Sequence, residues 1–173
     1  MSISNFKRFA ALTTLCLTAS LTFSACQPLY STDGQTLSSS SAALSSVSVA
    51  PVKTRQGQQV RNHLIFLLNG GAYSGQSAYE LTLRVNSSQK RLASRLDATG
   101  KTAGQVTTTV SYELYDNAKN EITHHGTRSA TATFDQTSQS FANERAVIDA
   151  ENRSAKAVAE RIRLAIASDL SAN

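Results

Sequence analysis

The sequence predicts an α+β fold: two helices packed on a four-stranded, mostly antiparallel sheet, in strand-helix-strand-strand-strand-helix order. Three observations predict it. Residues 78–88 and 105–116 alternate apolar and polar side chains with a period of two, the signature of half-buried strands. Residues 54–68 and 140–170 instead carry apolar residues at helical spacing. The polar run Asp116-Asn117-Ala118-Lys119-Asn120 sits between two strand-like segments, as a hairpin turn would.

Taken in order, "VSVAPV" at 47–52 reads as a short first strand, with Pro51 at its end because proline cannot donate to a ladder. From Thr54 a helix follows, since Val60, Leu64, Leu67 and Leu68 fall at i, i+4, i+7 and i+8. Asn69-Gly70-Gly71 supplies its C-cap and stop. The next strand carries Tyr79, Leu81, Leu83 and Val85 on one face. Its successor carries Val106, Thr108, Val110, Tyr112 and Leu114, and "EITHHGTRSATATF" at 121–134 returns beside it. Residues 89–101, basic and weakly patterned, fit either a strand extension or a loop. Ile148, Ala155, Ala159, Ile162, Ile166 and Leu170 draw one stripe along a long closing helix, from about Ser140 to Ser168. The alanines there allow close packing on a sheet.

Residues 1–25 have the parts of an export signal: Lys7 and Arg8, an apolar run from Phe9 to Phe23, and the small residues Ser24 and Ala25. The run is short and rich in Thr and Ser, poorly suited to spanning a bilayer, which takes about 20 mostly apolar residues. Cys26 follows at once, so Phe23-Ser24-Ala25-Cys26 resembles a bacterial lipobox with Phe in place of the usual Leu. That resemblance implies lipidation of Cys26 by diacylglycerol and an N-acyl chain. Cys16 fits less well, because Thr13, Thr14 and Leu15 precede it. A secreted protein with an incidental cysteine is the plain alternative. Cys26 would otherwise be a lone thiol in an oxidising compartment, since Cys16 leaves with the leader. Gln27 stands where inner-membrane retention resembles an Asp, so the outer membrane, facing the periplasm, is the expected address. Residues 26–46 would be the lipidated N-terminus and a polar, Ser-rich tether, and residues 47–173 a single folded domain.

The formal charge of +5 includes Lys7 and Arg8, and without them fifteen basic residues face twelve acidic ones. So mild an excess is no footprint for nucleic acid. There is no HExxH, CxxC, phosphate-binding glycine loop or nucleophile elbow, so no catalytic residue is assigned and no enzyme is expected. His124 and His125 are neighbours on an expected strand and point to opposite faces, so they cannot chelate one ion, and no metal is expected.

The element order, on a lipoprotein of this length, resembles the LPS-assembly lipoprotein family (LptE), alphaproteobacterial type. Several short motifs carry the resemblance. Cys26-Gln27-Pro28-Leu29-Tyr30 is similar to the family's start. Arg55-Gln56-Gly57-Gln58 with Arg61-Asn62-His63-Leu64 is similar to its first-helix opening. Tyr79-Glu80-Leu81 and Tyr112-Glu113-Leu114 resemble its strands. Phe141-Ala142 with Asp149-Ala150 resembles its close, Phe141 standing where Tyr is usual. The resemblance implies a plug and assembly partner of the β-barrel lipopolysaccharide translocon (LptD type). Such a protein lies partly within the barrel lumen and helps insert lipopolysaccharide into the outer leaflet. A lipid-binding or pilot lipoprotein serving a different outer-membrane transport system is the alternative. No cofactor is implied beyond the covalent lipid.

Two sets of residues are singled out on this basis. Lys90, Arg91, Arg95 and Lys101 crowd one stretch, and such side chains suit the phosphates of the family's ligand. A basic solvated loop would look the same. Arg55 and Arg61, at the start of the first helix, would grip barrel loops or simply face solvent.

Overall fold

The computed structural model describes residues 42–71, 77–92 and 102–171. Its elements run β1 (Val47–Val49), α1 (Arg55–Asn69), β2 (Tyr79–Arg91), β3 (Thr102–Asp116), β4 (Glu121–Gln136) and α2 (Ser140–Ser171). The sheet order is β1-β2-β3-β4. β1 pairs parallel with β2 through the α1 crossover, and the other two pairings are antiparallel. This is the α+β arrangement expected from the sequence. A helical turn at 42–45 precedes β1, and its Leu44 is buried in the core.

Local chemistry sets the ends of these elements. Thr54 is the N-cap of α1, its hydroxyl accepting from the Gly57 amide at 3.1 Å. Gly57 has to be glycine here: a Cβ would lie 2.7 Å from that hydroxyl and 3.1 Å from Val52. Gly70 closes α1 at φ 64°, and its amide bonds the Phe66 carbonyl. In the β3–β4 turn Asp116 accepts from the amides of Ala118 and Lys119, at 2.8 and 3.1 Å. Asn120 tolerates φ 60° there.

Strand alternation puts Leu81, Leu83, Val110, Tyr112 and Leu114 under the helices. Val60, Leu64 and Leu68 of α1 and Val158, Ile162 and Ile166 of α2 meet them. A smaller cluster, Val106, Ala132, Phe134 and Ala150, lies under the first half of α2. Ile148, placed on the buried stripe by its spacing, is only half-buried. Over that half of the helix Ala146, Val147 and Ala150 face the core instead. Of the ambiguous stretch 89–101, the first three residues extend β2, and Arg91 pairs with Gly104. Residues 93–101 lie outside the described residues.

The two helices run side by side in the same direction. Arg55 Nη1 meets Glu151 Oε2 at 2.6 Å, 96 residues along the chain. At the other end Arg163 Nε donates to the Leu67 carbonyl at 3.1 Å, again across 96 residues. Between the α2 layer and the sheet lies one fully buried polar pair, Thr108 Oγ1 and Ser154 Oγ, 2.7 Å apart.

Candidate functional site

Both helices cover the same side of the sheet, so the other side is open. The strand register lines up its residues in rows. Arg84 stands beside Ser111 and Thr127, Asn86 beside Thr109 and Ser129, Ser88 beside Thr107 and Thr131, and Lys90 beside Gln105 and Thr133. Hydroxyl contacts confirm that these side chains share a face: Ser111 to Thr127 at 3.1 Å, and Thr107 to Thr131 at 3.3 Å. These four rows hold hydroxyls, two amides and two cations, with no carboxylate and no large apolar side chain. Arg84 and Lys90 lie six residues apart on one strand, about 20 Å.

Charge changes along this face. Next to Arg84's row come Thr82, Glu113 and His125, and beyond it Glu80 beside Tyr115. Glu80, Thr82, Glu113, Tyr115 and exposed Ile122 line a shallow hollow of about 250 Å³. On the other side of Lys90's row come Leu92, Ala103 and exposed Asp135, so the two cations lie within the face with carboxylates beyond them at both ends.

The structure separates the singled-out residues. Lys90 and Arg91 are exposed at the far end of β2, Lys90 on the open face and Arg91 on the alternate side. Arg95 and Lys101 lie outside the described residues. Arg55 is bound within the chain: besides Glu151 it reaches Asn152 Oδ1 at 3.2 Å, while Gln56 holds the other Glu151 oxygen at 3.2 Å. Arg61 Nε donates to the carbonyls of Val49 and Ala50, both at 3.2 Å. It also lines a shallow hollow of about 310 Å³ with Pro51, Gln58 and Asn62. Gly57 and Arg61 of the helix-opening motif thus have structural work inside the fold.

His124 pairs with Leu114 on the helix side, its Nδ1 3.9 Å from Asp169 Oδ2, whereas His125 pairs with Glu113 on the open side. The two rings face apart, as alternation requires. Tyr112 sits near this helix end with Arg128 over its ring at 5.9 Å. Burial pushes its hydroxyl above the ordinary 10.0, Arg128 opposes the rise and Asp169 adds to it. No group of three His, Cys, Asp or Glu with metal-binding geometry occurs among the described residues.

Sequence reasoning missed Arg84 and the hydroxyl rows. Alternation would have found them, because Thr107, Thr109 and Ser111 fall between the buried Val106, Thr108, Val110 and Tyr112.

The two-layer α+β fold is also found in solved bacterial lipoproteins. A Caulobacter crescentus protein assigned as a lipoprotein superposes with a TM-score of 0.67 at 23% identity, over 79% of this chain and 98% of that one. A minor lipoprotein from Acinetobacter baumannii gives 0.54 at 18% identity, over 71% and 89%. No curated protein sequence matches the chain. The model of the lipopolysaccharide-assembly family LptE matches residues 44–166, and the chain belongs to that family. Membership gives it a role in lipopolysaccharide assembly at the cell envelope.

Proposed function

We propose that this protein is an outer-membrane lipoprotein, anchored through acylated Cys26, that plugs and helps assemble the β-barrel lipopolysaccharide translocon. In this reading it acts by binding rather than catalysis. The lipid at Cys26 is its one covalent adjunct, residues 1–25 are removed, and the Ser-rich stretch that follows tethers the domain up to the helical turn at 42–45, whose Leu44 already belongs to the core. One observation carries the reading: four rows of an exposed sheet face without a carboxylate or a large apolar side chain. Such a face suits phosphorylated sugar and the wet, polar lumen of a barrel alike. Lys90 on this face and Arg91 on the alternate side of the same strand, with Arg95 and Lys101 further along the sequence, would hold anionic groups of lipopolysaccharide. Arg55 and the hollow beside Arg61 would meet the barrel.

Copurification from detergent-solubilised envelopes tests the partner. The chain should travel with one large barrel protein, and recovery of the chain alone would contradict the plug. Cys26→Ala should release the protein from the membrane fraction or leave it uncleaved. Normal cleavage and membrane retention in that variant would show that another group anchors it.

Ligand binding has its own test. Exposed charges act additively and are screened beyond about 8–10 Å at physiological salt. Single changes at Lys90, Arg91, Arg95 or Lys101 should therefore be mild. Changing all four to Gln should weaken lipopolysaccharide binding clearly at low salt and flatten its salt dependence. Unchanged low-salt affinity in a folded quadruple variant would make the stretch a solvated loop.

A further inference from the structure

Arginine treats the outer edges of the sheet unequally. In β4 the odd-numbered residues turn their backbone outward, away from β3. Three of those carbonyls are taken: Thr127 by Arg128 at 3.0 Å, Thr133 by Arg153 at 2.7 Å, and Ser129 by Arg161. Arg61 closes the end of β1 in the same way. A guanidinium on a strand's outward carbonyls blocks the approach of another strand.

β2 differs. The Ala50 amide bonds the Leu81 carbonyl at 2.9 Å, and the Tyr79 amide bonds the Ser46 carbonyl at 3.3 Å, so odd residues of β2 face β1. The Leu92 amide, bonded to Ala103 at 2.9 Å, confirms that even residues face β3. But β1 covers only Tyr79 to Leu81, and Pro51 ends it. From Leu83 to Arg91 the outward amides and carbonyls of β2 have no strand or arginine against them among the described residues.

We propose that this edge, Leu83 to Arg91, accepts an extended strand from a partner protein, one that alternates acidic or hydroxyl residues with small apolar ones. The alternation follows from the two sides of β2. Buried Leu83 and half-buried Val85 would flank the apolar set, and Arg84 and Lys90 would flank carboxylates six residues apart. A second copy fits worse. Antiparallel self-pairing about Ser87 would set Arg84 against Lys90 of the other copy, at both ends of the pairing. The inference does not rest on the lipopolysaccharide reading.

The probe is a blocked peptide, Glu-Val-Thr-Val-Thr-Val-Glu, with a Lys-ended version as control, read by amide hydrogen exchange on the full chain. Saturating Glu peptide should slow exchange at Val85, Ser87 and Gln89 roughly tenfold or more, leaving the β3-bonded amides of Asn86 and Ser88 unchanged. Ser87→Pro removes an outward amide and should abolish the effect. Arg84→Glu with Lys90→Glu, both exposed and harmless to the core, should transfer the preference to the Lys peptide. This charge swap decides the matter should the proline variant not fold. No slowing at saturating peptide, equal slowing by both peptides, or slowing at Ser129 and Thr131 of β4 would each overturn the proposal. So would protection that rises with protein concentration alone, which would mark self-association.

Discussion

Ile162→Ala is expected to destabilise the protein by about 2–5 kcal/mol, because it empties a fully buried site between α2 and the sheet. Against a usual total near 5–15 kcal/mol this is a large share, and melting should fall by roughly 10 °C. The two residues that follow give internal controls on the same helix. Arg163→Ala removes the donor to the Leu67 carbonyl and should cost about 1 kcal/mol. Leu164 is 63% exposed, so its replacement by Ala should stay within about 0.5 kcal/mol. Alanine is a good helix former at all three positions, so helix propensity cannot produce this grading. Thermal melts that rank the three otherwise would mean that α2 presents a different face to the core.

The second large effect lies in the buried Thr108–Ser154 pair. Ser154 Oγ also donates to the Glu151 carbonyl at 3.0 Å, which commits its single proton. Thr108 must then be the donor across the 2.7 Å contact. Ser154→Ala should cost about 1–3 kcal/mol, since it strands the Thr108 hydroxyl where no water replaces the partner. Thr108→Val keeps shape but leaves Ser154 short of one donor, a smaller loss near 1 kcal/mol. The double variant should be less destabilised than the sum of the two, and denaturant melts of the four proteins would show it. Strict additivity would mean that the two hydroxyls do not share a bond.

Much of this architecture was legible in the sequence because alternation and helical spacing report burial directly. The faces of β2 and β3, the Gly70 stop and the stripe through Ile162 and Ile166 all follow from such patterns. Ile148 did not, because a single stripe assumes one straight contact line. In the structure the first half of α2 leans on a separate cluster around Phe134. Leu44 was missed for a different reason: one apolar residue among serines and alanines has no period to read. The open face was hidden in plain alternation, its Thr and Ser residues being strand formers before they are binding groups. Arg55 is exposed, as an outward charge would be, but the bonds that hold it and Arg61, to groups far along the chain or on the preceding strand, have no local signal. No local pattern encodes a partner 96 residues away.

That same separation orders the folding reaction. The β3–β4 hairpin closes through the short turn at 117–120 and β2 joins it across a link of ten residues, so the meander can form early, while joining α2 to α1 must wait for loop closures of 95 to 97 residues. The helix–helix seam is therefore late, absent from most of the transition state, and acts chiefly on the rate of opening. Kinetically it is a latch: weakening it shortens the lifetime of the native state while leaving the speed of refolding nearly untouched.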